Sequence, residues 1–154
     1  MTLTLTQKEQ MLLQDQKHHE EICIQKYNNY ANQAQDPELK QLFGSLAQQE
    51  QQHLNTINQI LNGQVPNMSQ GQQEQSVDPT MAQQMQGAMG NENDYSLCTD
   101  MLMTEKYVSG TYDTSIFECT DTNVRQTLNH IQKEEQQHGE AIFNYMNSRG
   151  MYNP

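Results

Sequence analysis

Apolar residues recur at intervals of three and four along four long stretches of the chain, which is the spacing that lines one face of an α-helix. The second and fourth stretches show it most clearly, with the runs Leu39, Phe43, Leu46, Ile57 and Val124, Leu128, Ile131, Ile142. The pattern predicts an all-α protein with helices over about 6–34, 37–61, 94–118 and 121–148.

Capping and turn residues set the predicted helix ends. The run Thr6-Gln-Lys-Glu9 has the form of a capping box. Asp36-Pro37 has the form of an N-cap followed by proline in the first turn, and Asp121 is a further N-cap. Asn62-Gly63 is a typical helix stop. The helices therefore form two hairpins, since only a few residues join the members of each pair.

The segment between the hairpins, residues 62–92, differs in composition. It is rich in Gln, Gly, Met and Pro, with one short helix predicted near 81–89. A connection of this length suits a crossover along the bundle. We therefore predict a single domain, 1–154, with a ferritin-like antiparallel four-helix bundle of two helical hairpins joined by a long crossover.

Charged residues interrupt the apolar stripes at matching positions. Glu50-Gln-Gln-His53 and Glu135-Gln-Gln-His138 each place a carboxylate and an imidazole three residues apart, on one face of a helix. The two halves repeat with an offset of 85 residues, which also relates Glu20 to Glu105. Core periodicity calls for apolar residues at these positions, so the repeated Glu and His need another explanation.

Distance from the turns places these residues at one level. Residues equidistant from a hairpin turn lie side by side, because both helices rise by about 1.5 Å per residue. The midpoint between Glu20 and Glu50 is position 35, and that between Glu105 and Glu135 is position 120, each beside a turn. Each hairpin therefore brings two carboxylates and one histidine to one layer.

Four carboxylates and two imidazoles in a bundle core are the ligand set of a two-metal centre. A polar core closed by hydrogen bonds is the alternative, but four Glu facing one another would repel strongly. Oxygen-rich ligands with one histidine per metal favour iron or manganese. The predicted ligands are Glu20, Glu50, His53, Glu105, Glu135 and His138. Glu50 and Glu135 are predicted to bridge two ions, with one further Glu and one His completing each.

Other polar residues compete for these roles. Glu21 is the rival of Glu20, but the repeat and the helical stripe favour Glu20, and Glu134 breaks the Glu-x-x-His spacing. A redox role for Cys23 stays open beside the simpler interpretation of the cysteines as buried core residues. The predicted core cysteines are Cys23, Cys98 and Cys119, and the predicted surface histidines are His18, His19 and His130.

The formal net charge is −11, which argues against a nucleic-acid partner. The sequence has no run of about 18 apolar residues, so we predict no membrane span. Its first ten residues, MTLTLTQKEQ, lack the apolar core of a secretory signal, which predicts cytoplasmic synthesis. A homodimer is the default expectation for such a bundle.

Each half of the chain contains a Glu followed, one helix later, by a Glu-x-x-His motif. In this pattern the chain resembles the ferritin-like superfamily, which includes ferritins, bacterioferritins and rubrerythrins. The resemblance implies that Tyr27 and Tyr112, each seven residues after the first Glu of its half, serve the chemistry of the centre as catalytic residues. It also implies that Gln49 and Glu134 support the ligand histidines. No fifth helix follows residue 150, so an iron-storing cage is not expected.

A narrower resemblance is to the coat F family of spore coat proteins. It rests on the Cys-Ile-x-Lys-Tyr run from Cys23, the Asp-Pro-x-Leu-Lys-x-Leu-Phe run from Asp36, the Glu-x-x-His, the Gln- and Met-rich linker and the Tyr-Asp-Thr at 112–114. It implies a ferritin-like protein of the spore coat, in contact with other coat proteins or with itself. The alternative is a di-metal oxidase or peroxidase that removes peroxide or oxygen. The sequence leaves open whether the protein is an enzyme.

Overall fold

The protein folds as four α-helices in a computed structural model that describes residues 3–66 and 91–152. Their bounds are α1, Gln7–Gln33; α2, Pro37–Leu61; α3, Glu92–Glu118; and α4, Thr122–Ser148. Helices α1 and α2 form one hairpin and α3 and α4 the other, with α1 packed on α3 and α2 facing α4. The predicted all-α bundle of two hairpins is confirmed. The short helix predicted near 81–89 lies outside the described residues.

Side-chain caps begin the helices where the sequence places them, with one exception. Thr6 and Glu9 form the capping box, and the carboxylates of Asp36 and Asp121 accept from backbone N–H groups of the first turns of α2 and α4. Helix α3 begins at Glu92, two residues before the predicted start. The reason is that Asn91 is its N-cap and accepts from the Asp94 N–H at 2.8 Å.

Asp94 instead ties the second hairpin to the turn of the first. Its buried carboxylate accepts from the backbone N–H groups of Gln35 and Asp36, at 2.9 and 3.0 Å. Glu9, the equivalent residue in the repeat, is also buried and accepts from the Thr120 hydroxyl at 3.2 Å. The first turn of each leading helix therefore holds the turn of the opposite hairpin, which sets the relative height of the two hairpins.

We expect Asp94→Ala to lower the free energy of unfolding by roughly 2–3 kcal/mol, because two N–H groups in the turn lose their acceptor. That corresponds to a fall of about 5–10 °C in melting temperature for a chain of this size. Glu92→Ala is the matched control, since it removes an exposed carboxylate from the same helical turn. Equal melting temperatures for the two variants would contradict the role given to Asp94.

The end of α2 and the start of α3 lie at opposite ends of the bundle. Leu3 donates its backbone N–H to the Gly63 carbonyl at 2.9 Å, which places the end of α2 beside the start of α1. Gly63 has φ +83° there, a conformation that favours glycine. Helix α3 begins at the opposite end, beside Gln35 and Asp36. Most of the predicted crossover, residues 62–92, lies outside the described residues.

Two apolar clusters enclose a polar layer in the middle of the bundle. The cluster near the turn of the first hairpin includes Phe43, Leu46 and Tyr145. The cluster at the other end includes Ile57 and Leu128. Because Glu50 and His53 lie between Leu46 and Ile57 on α2, the clusters shield the polar layer from water on both sides. Within the described ranges, no helix is both long and apolar enough to cross a membrane.

Candidate metal centre

The six side chains predicted as ligands meet in this layer, each at most 2% exposed. They form two groups in which one possible ligand atom per residue lies within 4.8 Å of the others. The first group is Glu20, Glu50, His53 and Glu135, and the second is Glu50, Glu105, Glu135 and His138. Glu50 and Glu135 belong to both groups, so the two groups form one continuous site.

The histidines point the same ring nitrogen at the carboxylates. His53 Nδ1 lies 3.1 Å from an oxygen of Glu135 and 3.6 Å from one of Glu50. His138 Nδ1 lies 2.7 Å from an oxygen of Glu50 and 3.4 Å from one of Glu105. The two rings are nearly parallel, with centroids 5.6 Å apart. Each imidazole is therefore oriented so that Nδ1 can bind an ion and Nε2 points away from the layer.

Several ligand atoms in the layer lack a hydrogen-bond partner among the described residues. They are one oxygen each of Glu20, Glu105 and Glu135, both oxygens of Glu50, and the two ring nitrogens of His138. The short contact between His138 Nδ1 and Glu50 does not have hydrogen-bond geometry. Unpaired buried acceptors that face one another cost free energy unless a cation lies between them. The residues present therefore fit a pair of metal ions.

The pKa values show how this layer is charged without metal. Burial, and then the neighbouring carboxylates, raise the pKa of Glu50 to about 7 and that of Glu105 to about 8. Burial and the same repulsion raise the pKa of Glu135 to about 7. Burial lowers the pKa of His53 and His138, but contacts with the carboxylates outweigh it and raise both well above the usual value. Protons therefore neutralise the metal-free layer.

Glu20 differs from the other three carboxyl groups. Burial raises its pKa, but the contacts with Glu50 and His53 outweigh burial and lower the pKa to about 2. Glu20 therefore stays ionised in the metal-free layer while its neighbours hold protons. The contrast arises because a few buried groups share a limited number of protons.

Tyr27 and Tyr112 contact the layer across the two hairpins. The Tyr27 hydroxyl on α1 donates to Glu105 on α3 at 2.5 Å, and the Tyr112 hydroxyl on α3 donates to Glu20 on α1 at 2.7 Å. Burial and nearby carboxylates raise the pKa of both phenols well above the usual value, so both keep their proton. Each phenol binds one carboxylate oxygen of its glutamate, and the other oxygen is buried without a hydrogen-bond partner among the described residues.

Glu134 lies directly behind one ligand histidine. Its Oε1 is 2.9 Å from His53 Nε2 and 3.4 Å from His130 Nε2. Burial raises the pKa of Glu134, but the contact with His53 outweighs it and lowers the pKa. Gln49, the equivalent residue in the first half, is buried, and its side-chain oxygen has no hydrogen-bond partner among the described residues.

The rival residues lie where the sequence analysis places them, with two differences. Glu21 and His18 are exposed. His19 is half-buried beside the Tyr107 ring, and His130 has a side chain only 30% exposed and contacts Glu134. The predicted core cysteines, Cys23, Cys98 and Cys119, are buried and free, as expected. Burial, and then the nearby carboxylates, raise the pKa of the Cys23 thiol, which argues against a reactive thiolate.

The comparisons with known proteins identify part of this chain. A family model described as the Coat F domain matches residues 93–154, which correspond to α3, α4 and the residues that follow. The comparisons with curated proteins and with solved structures gave no match. Most of the residues on which the sequence resemblance rests lie in the first hairpin, whereas the match covers the second. The C-terminal hairpin of this protein is a Coat F domain, of the spore coat protein F family.

Proposed function

We propose that this protein is a ferritin-like spore coat component whose bundle core binds two iron or manganese ions, with residues 1–154 acting as one domain. The observation that carries the proposal is the buried layer of four carboxylates and two imidazoles, in which unpaired ligand atoms face one another. The Coat F domain supports a place in the spore coat and assembly with other coat proteins.

The two ligand groups support distinct roles for the six residues. Glu50 and Glu135 are the bridging ligands, because they alone belong to both groups. Glu20 and His53 complete one metal position, and Glu105 and His138 complete the other. Iron or manganese suits the predominance of oxygen ligands with one imidazole for each ion.

A second candidate function is a di-metal oxidoreductase that acts on peroxide or oxygen. The observation that favours it is the sharing of two carboxylates, which would hold the two ions side by side. Adjacent iron or manganese ions supply electron exchange with oxygen or peroxide when they are bound. The chain would contribute a buried site between two apolar clusters, and Tyr27 and Tyr112 would orient the outer carboxylates.

Metal analysis of the purified protein tests the proposal. We expect about two ions per chain after anaerobic loading with Fe²⁺ or Mn²⁺ and removal of free metal. Failure to bind either ion would contradict the metal centre. Peroxide and oxygen consumption by the loaded protein then separates the two candidates, because an enzyme turns over and a structural centre does not.

A fluorescent fusion followed through sporulation tests the proposed location, and signal confined to the mother-cell cytoplasm would contradict it.

The surface offers apolar contacts for assembly. Among the described residues, the large apolar side chains classed as exposed all lie on α1 and α3; they are Met11, Ile22, Tyr95, Met103, Tyr107 and Phe117. The protein is proposed to form a homodimer, and light scattering of the purified protein tests this.

We expect Tyr27→Phe to weaken the binding of one metal ion by about 10-fold or more, because Glu105 loses the hydrogen bond that orients it. Competition with a chelator measures the change. Tyr30→Phe is the matched control, since the Tyr30 hydroxyl also donates to a carboxylate, that of Asp100, outside the ligand layer. An equal loss of affinity in both variants would contradict the role of Tyr27.

A further inference from the structure

The repeat that builds the metal centre is broken at the residue preceding each Glu-x-x-His. Glu134 precedes the motif on α4, whereas Gln49 precedes the motif on α2. Both side chains are largely buried, at 12% side-chain exposure for Glu134 and 4% residue exposure for Gln49. A charged group in one half and a neutral group in the other make the surroundings of the two histidines unequal.

The hydrogen bonds behind the histidines reflect this difference. His53 Nε2 lies 2.9 Å from the Glu134 carboxylate. His138 Nε2 is buried and has no hydrogen-bond partner among the described residues, and neither has the side-chain oxygen of Gln49. His130, one turn before Glu134, lies 3.4 Å from the same carboxylate oxygen, whereas the equivalent residue in the first half is Ser45. Among the described residues, Nε2 of His53 therefore has an anionic partner and Nε2 of His138 has none.

A carboxylate that accepts the outer N–H of a ligand imidazole strengthens the opposite nitrogen as a metal ligand, and it also fixes the ring. The hydrogen bond is charge-assisted and lies in a partly desolvated position, where it is stronger than one to a neutral amide. His53 therefore presents a better oriented and more basic Nδ1 than His138.

We propose that the two metal positions are unequal and that the position completed by Glu20 and His53 binds its ion more tightly and fills first. Glu134 is the positioning residue that makes the difference, and His130 holds it in place. This inference rests on the proposed two-metal function, because it ranks the positions within that centre.

Stepwise loading tests the ranking without any measure of turnover. Crystals of the protein loaded with one equivalent of Mn²⁺ should show anomalous scattering concentrated at the His53 position. Titration calorimetry should resolve two binding steps that differ by about 10-fold or more. In Glu134→Gln the tighter step should weaken by about 10- to 100-fold, the usual effect of losing such a partner.

Two variants serve as controls for charge and folding. Glu140→Gln removes the same charge from an exposed position on α4 and should leave both steps unchanged. Gln49→Glu places a carboxylate at the position equivalent to Glu134 in the repeat and should strengthen the weaker step. If Glu134→Gln does not fold, Gln49→Glu decides alone, and an unchanged weaker step in that variant would overturn the inference.

The outcomes separate this inference from the proposed function. Equal occupancy of both positions at one equivalent, or the same effect for Glu134→Gln and Glu140→Gln, overturns the inequality and leaves the two-metal centre intact. Absence of bound metal in the unaltered protein overturns the proposed function, and the ranking falls with it.

Discussion

Replacing Glu50 with alanine is expected to abolish the binding of both metal ions. Glu50 belongs to both ligand groups, so its loss removes a ligand from each position at once. Glu20→Ala removes a ligand from one group only and is expected to leave about one ion per chain. Metal content after loading and desalting measures both results, and Glu21→Ala is the control, since this exposed neighbour should leave two ions bound.

A variant that fails to fold would also lose metal, so a further substitution is needed. Glu50→Gln keeps the volume of the side chain and removes its charge. We expect it to stay helical by circular dichroism and to lose metal as Glu50→Ala does. Two bound ions in folded Glu50→Gln would contradict the bridging role. A loss of only one ion in Glu50→Ala, equal to the loss in Glu20→Ala, would also contradict it.

The metal-free protein is expected to become less stable as the pH rises from about 5 to about 8.5. Glu50, Glu105 and Glu135 have folded-state pKa values of about 7, 8 and 7, above the usual glutamate value of 4.5. Between those values the folded state holds protons that the unfolded state has released. Stability therefore falls with rising pH throughout this window.

The ligand histidines act in the same direction. Their folded-state pKa values lie above the usual value, so the stability they contribute is complete below that value and is lost at higher pH. One pKa unit corresponds to about 1.4 kcal/mol, and 1 kcal/mol to about 2–4 °C in a chain of this size. We therefore expect the melting temperature of the metal-free protein to fall by about 5 °C or more across the window.

Metal is expected to reverse this trend, because metal binding displaces protons and strengthens as the pH rises. The increase in melting temperature on loading should therefore be larger at pH 8.5 than at pH 5. Glu105→Gln should flatten the metal-free slope, since the amide keeps an oxygen for the Tyr27 hydroxyl but does not titrate. Glu21→Gln is the control, and a metal-free stability that rises with pH would contradict the charge state described above.

The helices and the ligand layer could be predicted because both depend on patterns within one helix or one hairpin. The period of apolar residues gives the buried face, and equal distances from a turn give the level at which Glu20 and Glu50 meet. Because Asn91 is its N-cap, α3 begins at Glu92, two residues before its predicted start at Asp94. The Asp94 carboxylate in fact accepts from the turn of the other hairpin, and no local pattern reports such a contact.

By itself, then, the sequence determined the four helices, the buried faces and the six residues that could share a layer, since helical geometry relates these positions directly. Only the tertiary structure decided which groups meet across the hairpins, because that depends on how two separate hairpins dock and at what height. It placed each phenol on the glutamate of the opposite hairpin and Glu134 behind His53. The six predicted ligands therefore meet in one buried layer in which the two histidines have different surroundings.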